Sequence, residues 1–168
     1  LNVLLAEYTQ PTDFKGESLK KHGINAIMML PDETSNTGAS VVPSFEKVDD
    51  RYWTLKMGPR FEMIIEDLGS EENALARIKT QIEGLGIYKI EYIVDEPNMI
   101  MYKRSIKYSD KSDLEVKQTY TYHCAGTTKI DGINYLVKSG KDDLGFPKLI
   151  VEEMVKTIRS IEPLDKKS

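Results

Sequence analysis

The chain has 168 residues, with 23 Lys and Arg against 27 Asp and Glu, a formal net charge of −4. That length suits one domain that buries roughly 70% of its unfolded surface without staples, and the acidic balance repels phosphate, which excludes nucleic acid as an expected partner. Cys124 is the only cysteine, so an internal disulfide and a multi-thiolate zinc site are excluded, and no apolar run reaches the roughly 20 residues that span a bilayer.

Residues 1–22 combine an apolar cluster (Leu1, Val3, Leu4, Leu5), a polar stretch with breakers from Gln10 to Gly16, and a basic run at Lys20, Lys21 and His22. They predict little regular structure beyond one helical turn from Ser18, in a segment that packs on the sheet. The chain opens on Leu1 rather than Met, which reads as a mature form whose upstream export signal has been removed. Residues 24–30 read as a strand ended by Pro31, and residues 32–44, rich in Thr, Ser, Asn, Gly and Pro, as a long loop.

Trp53, Leu55 and Met57 alternate, Gly58-Pro59 punctuates, and Phe61, Met63 and Ile65 resume the alternation. Two strands or one long bulged strand would both give this pattern. Ser70 is a good N-cap residue with Glu71 and Glu72 in the first turn, Leu75, Ile78, Ile82 and Leu85 share a helical face, and Gly84 and Gly86 supply the stop.

Four runs then alternate at period two: Tyr88, Ile90, Tyr92 and Val94; Ile100, Tyr102, Ile106 and Tyr108; Val116, Tyr120, Tyr122 and Cys124; Ile133, Tyr135 and Val137. Glu96-Pro97-Asn98 and the polar loop of residues 109–113 separate the first three, and Asp131-Gly132 is a type I′ hairpin signal before the last. Residues 147–161 form an amphipathic helix with a stripe of Ile150, Val151, Met154, Val155, Ile158 and Ile161. The class is α+β, a mostly antiparallel sheet with flanking helices, in a single domain of residues 23–162 followed by a polar tail, residues 163–168.

The chemistry-bearing residues are sparse. His123 and Cys124 invite a thiol–imidazole reading, but neighbours on a strand point to opposite faces, so Cys124 reads as a small core hydrophobe. His22 and His123 alone do not make a metal site. Asp110, Asp113 and Glu115, like Asp142 and Asp143, lack the spacing that aims several oxygens at one calcium ion and read as solvated turns. Gly84-Leu85-Gly86 ends a helix, the reverse of a phosphate-binding loop. Glu62, Glu66 and Asp67 read as the solvent side of a strand, and Lys103, Lys107, Lys117 and Lys129, interleaved with Glu91, Glu115 and Asp131, as a solvated sheet face. Met99, Met101 and Leu136 fall on that outward face by strict alternation, and they are the partner-binding candidates unless the N-terminal apolar cluster covers them. No catalytic, cofactor-binding or metal-binding residue is assigned.

The strand running into proline at Asn25-Ala26-Ile27-Met28-Met29-Leu30-Pro31, the early helix, the long meander, Gly132-Ile133-Asn134-Tyr135 and the closing Thr157-Ile158-Arg159-Ser160-Ile161 together resemble the PsbP-like family. That family includes extrinsic photosystem II subunits, bacterial lipoprotein relatives and Ran-binding nuclear import factors. Where it places Gly-Trp after the proline, this chain has Asp32-Glu33, and no functional residue carries across. The resemblance implies a three-layer α-β-α sandwich and a non-catalytic role docking on a larger protein. The expectation is a monomeric, exported binding or accessory protein without a cofactor, periplasmic or otherwise extracytoplasmic, with a lipid anchor upstream. The alternative is a small hydrolase or ligand-binding enzyme, whose mark would be a pocket with convergent polar groups and perturbed titrating residues.

Overall fold

The computed structural model describes residues 14–32, 42–107, 120–140 and 146–164. Phe14–Ser18 (β1) pairs antiparallel with Ala26–Pro31 (β2), and a 3₁₀ turn at Lys20–His22 joins them, closed by Gly23 at φ 87°. The segment before residue 23 is therefore more regular than its composition suggests, and Leu19 inside it is a buried core residue. Residues 1–13, including the apolar cluster from Leu1 to Leu5, lie outside the described residues.

Ser44–Asp49 (β3) begins at the last residue of the expected loop and runs through a stretch to which the sequence assigns no element, since it carries no alternation; five of its six residues are exposed. It is a strand because its backbone pairs with Tyr52–Met57 (β4), which in turn pairs with Phe61–Gly69 (β5) through Met57↔Phe61. The Gly58-Pro59 punctuation is thus a hairpin between two strands, with Gly58 at φ 64°. Gly69, at φ 61°, turns the chain out of β5, and the helix begins only at Ala74 and runs to Glu83 (α1). Ser70 is not its N-cap. Glu71 lies before the helix, where it takes a double hydrogen bond from Arg77 at 2.8 and 3.0 Å, and Leu85 falls past the helix end and is exposed.

Tyr88–Glu96 (β6), Met99–Ile106 (β7), Tyr120–Ile130 (β8) and Ile133–Ser139 (β9) form the meander, and Lys148–Ser160 (α2) follows. Asp131 and Gly132, both at positive φ (51° and 80°), make the type I′ turn that Asp-Gly signals. Seven strands pair in the order β3-β4-β5-β9-β8-β7-β6, and Glu162–Pro163 (β10) adds to β2 to complete a separate sheet, β1-β2-β10. Every pairing is antiparallel. This is a sheet-rich α+β fold with two α-helices among the described residues.

Register decides which side chains share a face. One row crosses the large sheet as Met99, Gly126, Val137, Ile65 and Trp53, and the next as Ile100, Ala125, Lys138, Ile64 and Thr54. The first face packs with Val151, Met154, Val155 and Ile158 of α2 and with Ala26, Met28 and Leu30 of β2 into the larger core. Ile100, Tyr102, Ala125 and Leu136, on the second, pack with Leu75, Ile78 and Ile82 of α1. Both faces are therefore buried over much of the sheet. A β-bulge at Ile93 shifts Val94 to the face opposite Ile90 and Tyr92, so the period-two run of β6 does not keep to one side. Ser160 Oγ accepts the Met29 amide at 2.8 Å, tying α2 to β2.

Candidate functional site

Met99, Met101 and Leu136 are 3%, 2% and 2% exposed, so none is available to a partner. Nor do they share a face: the two methionines sit in the α2 core and Leu136 under α1. Outside the bulge of β6, alternation separates the faces within each strand but does not tell that both are covered. Their described cover is α2 and β2 on one side and α1 on the other.

Cys124 points into the larger core, where burial pushes its thiol up to about 12, leaving it protonated and unreactive at neutral pH. Its amide donates to Ser139 Oγ at 3.1 Å. His22 stacks on Phe45 at 4.3 Å between ring centroids, while His123 stacks on Tyr102, so the two histidines serve different partners. No group of three or more His, Cys, Asp or Glu suited to a metal occurs among the described residues. Asp110, Asp113, Glu115, Lys117, Asp142 and Asp143 lie outside those residues.

The concave site that does form follows from helix length. Ten residues of α1 span about 15 Å, whereas seven strands span about 29 Å across. Part of the second sheet face is left uncovered beside the helix, and there a cleft of about 430 Å³ opens. Ile78, Gln81 and Ile82 of α1 form one wall, Tyr52 and Ile64 the opposite one, and Tyr102, Arg104, His123, Ala125 and Lys138 the floor. Gly140 matters here for what it lacks. Continuing the β8–β9 register places it level with His123, and a Cβ would come within 2.6 Å of Glu62 Cγ, so the position admits no side chain beside Glu62.

His123 is the perturbed group of this cleft. It is 5% exposed, Nε2 lies 2.6 Å from Thr121 Oγ1, and the ring stacks on Tyr102 with centroids 5.0 Å apart. Burial, and then the charge of Arg104, lower its pKa to about 4. A Thr–His contact has the outline of a nucleophile and base, but an imidazole that releases its proton near pH 4 is a weak base at neutral pH. The arrangement is better at orienting and hydrogen bonding than at proton abstraction.

Across Tyr52 lies a second depression, about 530 Å³, edged by Asp49, Asp50, Glu66, Asp67 and Glu71 with Arg51 and Arg77. Burial, and then the carboxylates of Glu66, Glu62 and Asp49, raise the Tyr52 pKa. The molecule thus places a cationic cleft and an acidic one on either side of one tyrosine. Sequence reading passed over Arg104 and Lys138. The available signal was phase: each follows apolar residues at period two, Ile100 and Tyr102 for the arginine and Leu136 for the lysine, on the same side of the strand. No protein-family model matches the chain, and no curated protein matches it.

Proposed function

We propose that the chain is a non-enzymatic binding or accessory protein that docks on a larger protein partner, built as a three-layer sandwich of α1, the large sheet, and α2 with the small sheet. The observation that carries this reading is the clustering of exposed apolar side chains at one end of β6, β7 and β8. Leu85, Ile87, Ile106 and Tyr120 are each half or more exposed, and backbone pairing gathers them at one end of the sheet: the Lys107 amide donates to the Ile87 carbonyl at 2.9 Å, Ile106 pairs with Tyr88, and Ser105 with Tyr120, which sets Ile87 and Tyr120 on the α2 face and Ile106 on the other. Exposed apolar side chains gathered at one end of three neighbouring strands support an interaction site wrapping that end more than isolated residues would. Lys103, with Nζ 4.2 Å from the Tyr120 ring centroid, supplies a charged rim.

The strand into Pro31, the early helix, the meander and the terminal helix support grouping the chain with PsbP-like proteins, and an exported, lipid-anchored form follows from that grouping. A photo-reactive amino acid in place of Ile106 tests the docking surface, with one in place of the exposed Leu149 as control. Conjugates to a single partner at position 106, absent at 149 and lost on Ile87→Glu, are expected. Equal labelling at both positions, or none at 106, overturns the reading.

A further inference from the structure

We propose that the cleft beside α1 is a binding site for an elongated organic anion, gripped near its two ends by Arg104 and Lys138 with its apolar body against Ile64, Ala125 and the Ile78–Ile82 edge of the helix. A volume of about 430 Å³ is the size of a small-molecule site. Its composition is the second observation. Arg104 and Lys138 are both half-buried, neither makes an ion pair among the described residues, and no Asp or Glu is among the described residues that line the space. In a chain of net charge −4, two partly desolvated cations facing one concavity run against the average field. Glu62 and Glu66 flank Ile64 on the same sheet face, yet neither pairs with Lys138: Glu62 packs level with Gly140, and Glu66 opens onto the acidic depression beyond Tyr52.

The spacing sets the ligand's shape. Arg104 is level with Thr121 and Lys138 with Ala125 on the strand between them. Two strand spacings of about 4.8 Å and four residues of about 3.4 Å put the two backbones about 17 Å apart. The stacked Tyr102–His123 pair lies between them, and the Arg104 guanidinium already rests over Tyr88, 4.4 Å from its centroid, which restricts where it can point. With Arg104 held toward Tyr88 at one end of the cleft and Lys138 at the other, an extended molecule with negative ends fits better than a compact ion. Since His123 is held neutral, it adds no charge of its own. The middle of the site is apolar and aromatic, which excludes inorganic phosphate as the best fit.

Naphthalene-2,6-dicarboxylate is a suitable probe, with naphthalene-2-carboxylate and the neutral dimethyl ester as comparisons. Titration of the folded chain by calorimetry or probe fluorescence is expected to give one site for the dianion. The monoanion should bind roughly 5-fold more weakly and the ester roughly 10-fold or more. Arg104→Gln and Lys138→Gln are each expected to weaken the dianion roughly 5- to 10-fold, while Lys129→Gln, an exposed cation outside the cleft, leaves binding unchanged. Both cleft positions are half-buried surface side chains, and unchanged circular dichroism melts would show that the variants fold. Absence of dianion binding in the parent, equal affinity for the ester, or full affinity in both cleft variants overturns the proposal.

Discussion

At Gly126 the large sheet and α2 approach closely, and Gly126→Ala tests that packing directly. A Cβ at this position would stand 2.6 Å from Ile158 Cγ2, 2.9 Å from Met99 Cε and 3.1 Å from the Asn98 carbonyl oxygen. Carbon pairs prefer about 3.5 to 4.0 Å, so the overlap with Ile158 is about 1 Å. Met99 ends in a flexible thioether and can move aside. Ile158 cannot do so cheaply, being β-branched and 3% exposed on a helix pinned to β2 through Ser160. Asn98 is held as well, because its carbonyl accepts the Thr127 amide at 3.0 Å. Overpacking of this kind costs about 1 to 3 kcal/mol, and Ala recovers about 0.4 to 1 kcal/mol by restricting the unfolded chain. The net loss expected is about 1 to 2 kcal/mol, which at a slope of about 2 kcal/mol per molar urea lowers the midpoint by roughly 0.5 to 1 M. Unfolding followed by the single tryptophan, Trp53, in the same core, measures it. Ile158→Ala removes the clashing methyl, so the double variant should be more stable than the sum of the singles by about 1 kcal/mol. A Gly126→Ala midpoint equal to that of the parent, with additive energies in the cycle, would refute the close approach of α2 to β8.

Two further outcomes are expected. His123 titrates near 6.5 when unfolded and about 4 when folded, so between those values the unfolded chain binds the extra proton and stability falls as pH falls, by about 1.4 kcal/mol per unit, levelling below pH 4. Urea melts from pH 7 to 4 should show this slope in the parent and lose it in His123→Gln; parallel curves would mean that the imidazole is not buried neutral. Cys124 should react slowly with a thiol reagent at pH 8 in the native protein and quickly in denaturant, and fast native labelling would contradict its place in the core.

How far the fold could be read in advance depended on whether the deciding interactions were local. The Asp131-Gly132 hairpin and the α2 stripe were legible because a two-residue turn and a 3.6-residue period are written within a dozen residues. The hairpin also fixes Ile130 opposite Ile133, which places Cys124 on the face of Tyr135 and Val137. β7 had no such anchor. Its connection to β8 is long, so sequence does not determine whether odd or even residues of the two strands meet; burial alone suggests Ile100 and Tyr102 on the face of Cys124, whereas the register puts Met99 and Met101 there. β3 and β10 were invisible for a different reason: one is an exposed edge and the other two residues long, and both are strands by virtue of the neighbour they bond rather than any pattern of their own.

The cleft shows what survives that uncertainty. Whichever face of β7 turned out to be covered by α2, Arg104 had to share a side with Ile100 and Tyr102, because alternation within one strand needs no register. A charged residue in phase with buried ones is a local departure from a pattern that is otherwise consistent, and such departures gather at functional or strained positions. Lys138 breaks the phase of Leu136 in the same way, on another strand. Only pairing through β8 brings the two departures to one concavity. Each was visible singly, and the fold makes them a site.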